Sequence, residues 1–264
     1  MGTVIANKIK SLIFNRLKKI NFLYSKYMIL SNRMYHNFEF HGDKIFKRAF
    51  KKIGSDIRVT AVVETGTFLG FTTKLFARLF PDVQIYTCEI NRDYFRKAKK
   101  SLLKYPNVHV YNMNSSDFLN FLISENKLGE QPMFYLDAHW LDKWPLEQEI
   151  EIISEQLKNA VVLIDDFKIP GNPNFVYDRY KYKECSLDRI NPNIHQKNIY
   201  NLLMPNYGHE DAFSNVKKHE KFLVGYPIIF INYRDYFKKL LSDEFFNRYF
   251  KDESKLIKVE KFYS

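Results

Sequence analysis

Acidic residues recur at the ends of short apolar segments in this chain of 264 residues. The carboxylates at these places are Glu64, Glu89, Asp117, Asp137 and the pair Asp165-Asp166. A carboxylate is costly to bury without a partner. If the apolar segments are parallel strands of one sheet, their carboxyl ends meet at one edge, which is where such sheets bind ligands. We therefore expect this edge to carry the chemistry of the protein.

The loop after the first segment, Glu64-Thr65-Gly66-Thr67-Phe68-Leu69-Gly70, distinguishes between ligands. A dinucleotide site uses G-x-G-x-x-G, whose glycines let a pyrophosphate approach a helix N-terminus. Glu64 takes the first glycine position here, and its charge repels a phosphate and favours a cation. Glu89 follows 25 residues later, near the spacing at which an acid binds ribose hydroxyls. These features describe a cationic nucleoside ligand without phosphate, and S-adenosylmethionine fits that description.

At these residues the chain resembles the class I S-adenosylmethionine-dependent methyltransferases, most clearly over residues 59–167. Together with Asp-Ala-His at 137–139 and Ile-Asp-Asp-Phe at 164–167, the motif is similar to small-molecule and sugar O-methyltransferases of the macrolide-tailoring type. The resemblance implies that the first loop holds the methionine part of the cofactor, Glu89 the ribose and the residues after the third strand the adenine. The residues that it assigns to the cofactor are Glu64, Thr65, Gly66, Thr67, Gly70, Glu89, Ser116 and Asp117. In the alternative, the glycines serve only the turn and Thr67 only caps a helix.

Two arrangements for deprotonating an acceptor hydroxyl are open. In the first, His139 acts as a general base near neutral pH, next to Asp137. In the second, Asp137, Asp165 and Asp166 hold a divalent cation that lowers the pKa of the hydroxyl. Mg²⁺ is favoured because these ligands are hard oxygens. The alternative for all four residues is structural, with the aspartates fixing turns and the histidine packing in a wall.

Short apolar runs alternate with longer amphipathic stretches and must position these residues. Strands are predicted at 59–64, 84–90, 108–113, 133–137 and 161–164, with helices at 72–80, 92–105, 116–126 and 146–159. Strands that are apolar on both faces, with helices between them, predict a parallel sheet covered on both sides. The predicted fold class is α/β, a doubly wound Rossmann-like methyltransferase sheet that is mostly parallel with an antiparallel closing strand pair.

Residues 168–221 lack clean periodicity and are too many for an ordinary connection, so they predict an insertion that covers the acceptor. Its candidate substrate contacts are Tyr177, Arg179, Tyr180 and His209. Aromatic rings can stack on a sugar and arginine pairs with phosphate or carboxylate, although exposed tyrosines also occur without a role. Beyond the insertion, the sequence predicts closing strands at 221–224 and 228–233, a helix at 236–250 and an edge strand at 256–262.

Positive charge is concentrated at the start of the chain. Residues 1–58 hold 13 Lys or Arg against 3 Asp or Glu, out of a formal net charge of +11. Apolar residues between positions 5 and 28 recur at steps of three and four, which predicts a basic amphipathic helix. Such a helix packs on its own core, on a partner or second subunit, or on an anionic membrane surface, and a transit peptide is a further alternative. The predicted organisation is a helical N-terminal extension at 1–58 and a methyltransferase domain at 59–264.

Composition excludes several classes of protein. With 9 Gly and 9 Pro, the chain is neither collagen-like nor of low complexity. Two separated cysteines, Cys88 and Cys185, do not make a disulfide scaffold. No apolar run approaches the roughly 18 residues of a membrane-spanning helix.

The distribution of charge also favours some classes of binding partner over others. The segment after residue 58 is nearly neutral, which disfavours a nucleic-acid cleft. The partners expected are a small-molecule or glycan acceptor and a second copy of the chain, in the cytoplasm or peripherally at a membrane. The rival interpretations are an RNA methyltransferase and a cofactor-binding scaffold without transfer activity.

Overall fold

The computed structural model describes residues 39–138, 144–213 and 223–258. Its strands are β1 (Ala61–Thr65), β2 (Gln84–Cys88), β3 (Val108–Tyr111), β4 (Pro132–Leu136), β5 (Ala160–Ile164), β6 (Arg179–Tyr180), β7 (Lys183–Glu184), β8 (Tyr200–Pro205), β9 (Ile228–Ile231) and β10 (Phe250–Asp252). Its α-helices are α1 (Lys44–Asp56), α2 (Phe71–Leu79), α3 (Arg92–Leu102), α4 (Ser115–Ser124), α5 (Leu146–Gln156), α6 (Leu187–Ile190), α7 (His209–Ala212), α8 (Arg234–Leu241) and α9 (Glu244–Tyr249). Short 3-10 segments lie at Glu39–Gly42, Asn191–Asn193 and Ser254–Leu256. Within the described ranges, no helix has both the length and the apolar character needed to cross a membrane.

One sheet organises the domain, with its strands in the order β10-β8-β9-β5-β4-β1-β2-β3. Strands β1 to β5 are parallel, whereas β9 runs antiparallel to both β5 and β8. The order reverses between β1 and β4, which places a ligand-binding crevice above their carboxyl ends. This sheet confirms the predicted doubly wound α/β fold with an antiparallel closing pair.

The central strands β1, β4 and β5 are buried along their whole length. Helices cover both faces of such a sheet, so the strands have nearly continuous apolar sequences instead of alternating ones. This is why the five parallel strands and the four helices α2 to α5 were predictable to within a few residues of their ends.

The closing pair differs from the predicted one in its first strand. That strand is β8, which lies inside the stretch 168–221 assigned to the insertion. Of the predicted strand at 221–224, the described residues Leu223 and Val224 contribute only an isolated bridge, between Val176 and Val224. The prediction missed β8 because Asn, Leu and Met are not typical strand residues. Hydrogen bonding to β9 and β10 stabilises β8 as a strand, although its own residues have little preference for one.

The C-terminal end also differs from the prediction. The helix predicted at 236–250 is two helices, α8 and α9, because Asp243 caps the second by accepting hydrogen bonds from the N–H groups of Phe245 and Phe246. The edge strand is β10 at Phe250–Asp252, ahead of the predicted range of 256–262. Residues 259–264 lie outside the described residues.

Helix α1 packs its apolar face into the core, although it lies in the basic segment 1–58. Asp43 caps it by accepting hydrogen bonds from the N–H groups of Ile45 and Phe46, at 2.8 and 2.9 Å. The buried residues of its inner face are Ile45, Phe46, Ala49, Phe50 and Ile53. The compact unit accordingly begins at Glu39. The basic amphipathic stretch before it lies outside the described residues and stays a prediction.

The position of Phe50 makes the packing of α1 testable. Its side chain is fully buried, with its ring stacked at 4.6 Å on Phe76. We expect Phe50→Ala to lower the free energy of unfolding by about 3–5 kcal/mol, because it leaves a cavity in the core. Lys51→Ala, at the exposed neighbouring position, should change it by less than about 0.5 kcal/mol. Urea denaturation measures both, and equal small effects would contradict the packing of α1.

Candidate functional site

Glu64 is a buried carboxylate near the end of β1, 1% exposed. Its Oε2 accepts hydrogen bonds from the hydroxyls of Thr73 on α2, at 2.5 Å, and Thr87 on β2, at 2.7 Å. Among the described residues, no Lys, Arg or His forms an ion pair with it. Burial raises the pKa of Glu64 from its usual 4.5 to about 7, although the two threonines lower it. A cationic ligand next to Glu64 would therefore stabilise its ionised form.

The loop after β1 approaches the end of β4 closely at Gly66. Gly66 has a φ of +89°, and a Cβ there would lie 2.2 Å from the carbonyl oxygen of Asp137. The N–H groups of Gly66 and Thr67 both donate to the carbonyl of Cys88, each at 3.0 Å. Only glycine fits this combination of left-handed backbone and close contact. The loop is thus fixed to β2 and β4, the two neighbours of β1.

The predicted contacts Thr65 and Thr67 are both buried within this loop. The Thr65 hydroxyl accepts the N–H of Asp137 at 3.3 Å, and the Thr67 hydroxyl shares a 2.6 Å hydrogen bond with that of Thr87. Their observed role is to hold the loop, and their contact with a ligand stays a prediction. Gly70 has a φ of +77° and precedes α2.

Glu89 follows β2 and is 8% exposed. Its Oε2 accepts the N–H of Phe68 at 2.9 Å, and its Oε1 accepts the N–H of Asn91 at 2.7 Å. These bonds fix the carboxylate, and each oxygen keeps a lone pair for a further donor such as a hydroxyl. Burial raises its pKa, whereas the two backbone donors lower it. Glu64 and Glu89 thus lie on adjacent strands at one edge of the sheet.

The predicted adenine residues lie at the start of α4. The Ser116 hydroxyl donates to Gln148 at 2.9 Å, and the exposed Asp117 accepts from the side-chain amide of Asn114 at 2.5 Å. These contacts leave both residues accessible at the carboxyl edge, next to β3. Their contact with adenine stays a prediction.

Glu149 on α5 is a buried acid that the sequence analysis missed. It is fully buried, and within the described part of the chain neither of its oxygens has a hydrogen-bond partner. Burial, partly offset by the nearby hydroxyls of Ser115 and Thr65, raises its pKa to about 7. One acid on a helix gives no sequence pattern, so only the fold shows that it lies near the ends of β1 and β2.

Asp165 and Asp166 lie at the end of β5, and Asp137 lies at the end of β4, where their charges act on it. Among the described residues, the donor atoms of Asp165 and Asp166 belong to one group within 4.8 Å, and Asp137 is not part of that group. Burial and the charges of Asp165 and Asp166 raise the pKa of Asp137 well above its usual range. Burial and the charge of Asp165 likewise raise that of Asp166 to about 8. Asp178 belongs to the same group, because its charge acts on both. This excess of negative charge has the hard oxygen donors that a divalent cation needs.

His41 is the second residue that the sequence analysis missed. Its Nε2 lies 3.5 Å from Oδ2 of Asp165 and 4.0 Å from Oδ1 of Asp166. Loss of surrounding water lowers the pKa of His41, but the negative charges of these aspartates outweigh that effect. The net result is a pKa raised from the usual 6.5 to about 9. A histidine within a basic segment gave no reason to expect it here. The path of the chain before α1 is what brings it to the end of β5.

The hairpin β6–β7 holds three of the four predicted substrate residues next to the aspartates. The N–H of Asp178 donates to the carbonyl of Asp166 at 2.8 Å, which ties the hairpin to the end of β5. Glu184 accepts the hydroxyl of Tyr177 at 3.2 Å and lies 3.8 Å from Nε of Arg179. Tyr180 lies beside them, half-buried, in β6.

The remaining predicted residues are the histidines. His209 begins α7, where its ring packs 4.6 Å from that of Phe213. His139, the predicted general base, lies outside the described residues, since 139–143 are not described. Its role stays a prediction.

Comparison with known proteins gives remote structural similarity alone. No protein-family model matches the chain, and no curated protein matches it. Among solved structures, it is similar to the O-methyltransferase from Bacillus cereus in complex with SAH, at 15% identity and a TM-score of 0.48 over 71% of this chain and 81% of that one. It is also similar to the O-methyltransferase TomG from Streptomyces achromogenes, involved in tomaymycin synthesis and solved with SAM, at 16% identity and a TM-score of 0.47 over 70% and 79%.

The strand order of the sheet itself gives the chain a doubly wound, Rossmann-like α/β fold. Similarity at this level of identity does not extend to a ligand or a reaction, so both must be argued from the residues of the site.

The close approach at Gly66 gives a matched pair of variants. Gly66 and Gly171 both have a positive φ, but a Cβ at Gly171 would meet nothing within 4 Å. We expect Gly171→Ala to cost about 1–2 kcal/mol of stability from the left-handed backbone alone. Gly66→Ala should cost clearly more, since the loop must also move away from Asp137. Thermal unfolding compares them, and equal losses would show that the close approach does not constrain the loop.

Proposed function

We propose that this chain is an S-adenosylmethionine-dependent O-methyltransferase whose acceptor is a hydroxyl of a sugar or another small polar metabolite. The observation that carries the proposal is Glu64, a buried carboxylate without an ion-pair partner among the described residues, near the end of the central strand of a methyltransferase-type sheet. A ligand with ammonium and sulfonium groups supplies the missing positive charge.

Glu89 supports a nucleoside at the same edge. Its carboxylate is fixed by two backbone N–H groups, which leaves it oriented and able to accept hydroxyl donors. A fixed carboxylate binds a ribose diol with little loss of side-chain entropy. No phosphate group is expected near Glu64, because like charges repel. The two acids together therefore favour S-adenosylmethionine over a dinucleotide.

The acceptor would lie toward β4 and β5, where the aspartates and the hairpin β6–β7 are close together. Tyr177 and Tyr180 offer rings for a sugar face, and Arg179 offers a charged donor at the rim. Asp137, at the end of β4 and only partly exposed, is the described residue that we propose to receive the acceptor proton. His139 is a second candidate for that role. The methyl group passes from sulfur to the acceptor oxygen, whose O–H bond breaks as the base takes the proton.

Of the three aspartates predicted to hold a divalent cation, Asp165 and Asp166 have donor atoms close enough to share one, and Asp137 is not part of that group. The charge of Asp165 raises the pKa of both Asp137 and Asp166, so a bound cation would relieve repulsion at this edge. Such an ion would lower the pKa of an acceptor hydroxyl bound to it. Asp165 and Asp166 would contribute the oxygen ligands, directly after β5.

Calorimetric titration of S-adenosylmethionine into the purified chain tests the cofactor proposal. We expect micromolar binding, weakened by about tenfold to a hundredfold in Glu89→Gln, because the variant loses charge-assisted hydrogen bonds worth roughly 1.5–3 kcal/mol. The matched control is Glu155→Gln, the same change at an exposed position on α5, which should bind like the native chain.

Two results would contradict the proposal. One is no binding by the native chain, and the other is equal weakening in Glu89→Gln and Glu155→Gln. If binding is confirmed, transfer of a labelled methyl group to sugars and to RNA then distinguishes the acceptor classes.

A further inference from the structure

The short segment before α1 places a histidine against the aspartates at the end of β5. Phe40 and His41 both have left-handed backbones, with φ of 50° and 52°. Phe40 is 1% exposed, and its ring lies 4.8 Å from that of Phe46 and 5.3 Å from that of Tyr135. The buried ring anchors the segment in the core, so the next side chain, that of His41, is held at the sheet edge.

His41, Asp165 and Asp166 each offer a donor atom, and these atoms all lie within 4.8 Å of one another. Ligands about 2.1 Å from a metal ion lie about 3 to 4 Å apart from each other. The distances from Nε2 of His41, 3.5 and 4.0 Å, match that spacing. Small side-chain movements would therefore bring all three donors into one coordination sphere.

The hydroxyl of Tyr226 is an independent observation at the same place. It is fully buried and has no hydrogen-bond partner among the described residues. Burial raises the pKa of the Tyr226 hydroxyl, and the charges of the nearby Asp165 and Asp166 raise it further. Its ring stacks at 4.0 Å on that of Phe46 and lies 6.4 Å from that of His41. A buried donor without a partner beside these carboxylates indicates that the group is built to hold something further, such as an ion with bound water.

We propose that His41 is a nitrogen ligand of a divalent-metal site completed by Asp165 and Asp166, and that it makes the site prefer Mn²⁺ to Mg²⁺. The inference rests on the metal-assisted form of the proposed function and adds a ligand from outside the sheet. Mg²⁺ takes oxygen ligands, whereas an imidazole nitrogen favours a first-row transition ion, and Mn²⁺ is the ion of that series that also suits carboxylates. The ion would also fasten the segment Glu39–Gly42 to the end of β5.

Electron paramagnetic resonance of Mn²⁺ added to the full chain tests the proposal directly. We expect one bound Mn²⁺ whose electron spin-echo envelope shows modulation by ¹⁴N. In His41→Asn the ¹⁴N modulation should disappear and Mn²⁺ should bind about ten to a hundred times more weakly. Competition with Mg²⁺ should show a preference for Mn²⁺ that shrinks by a similar factor in the variant. His109→Asn is the control, because His109 lies on β3 and bonds to Gln84 at 2.6 Å.

The same samples are titrated with S-adenosylmethionine, so that the two proposals fail separately. Circular dichroism first confirms that His41→Asn is folded. Mn²⁺ binding without ¹⁴N modulation, or modulation that survives in His41→Asn, would overturn the nitrogen ligand. Binding of S-adenosylmethionine without binding of Mn²⁺ would overturn the metal site and leave the cofactor proposal standing.

Discussion

Carboxylates converge on the carboxyl-terminal edge of the parallel sheet, and burial removes much of the water that would otherwise solvate their charge. Glu64, Asp137 and Asp166 all have raised pKa values for this reason, and those of the two aspartates rise further because the negative charge of Asp165 acts on both. For Glu64, the folded-state pKa of about 7 exceeds the usual 4.5, so its ionisation destabilises the ligand-free fold as the pH rises through 7. Positive charge bound next to Glu64 would offset this cost. The architecture is best understood as a rigid frame that keeps these acids together.

The frame is rigid because backbone and small polar groups fix each acid in place. Thr73 and Thr87 hold Glu64 from two different elements, and backbone N–H groups hold Glu89. Gly66 lets the first loop approach the end of β4, which keeps the proposed cofactor side of the edge next to the proposed acceptor side. Alignment of two bound reactants is a large part of what methyl transfer requires from a protein.

Local patterns predicted the parallel part of the fold well, and long-range contacts decided the rest. Buried strands of β-branched residues, such as Val161 to Ile164, have a sequence signature that does not depend on their neighbours. β8 lacks one, since Asn201, Leu202 and Met204 become a strand only by pairing with β9 and β10. The site followed the same division. Glu64, Glu89 and the aspartates were predictable because the ends of parallel strands meet at one edge of the sheet. His41 reaches this edge through a turn before α1, and Glu149 reaches it from one face of α5. No spacing in the sequence indicates either position.

Carbon-13 magnetic resonance of the Glu64 side-chain carboxyl, titrated with and without S-adenosylmethionine, measures whether a cationic ligand binds next to this buried carboxylate. The resonance is assigned by its loss in Glu64→Gln. We expect a pKa of about 7 in the ligand-free chain. When the ligand saturates the site, we expect the pKa of Glu64 to fall to about 6 or lower, because a cation stabilises the carboxylate. Affinity should correspondingly weaken as the pH drops below 7 and Glu64 takes up its proton. A Glu64 titration that saturating S-adenosylmethionine leaves unchanged would contradict the account.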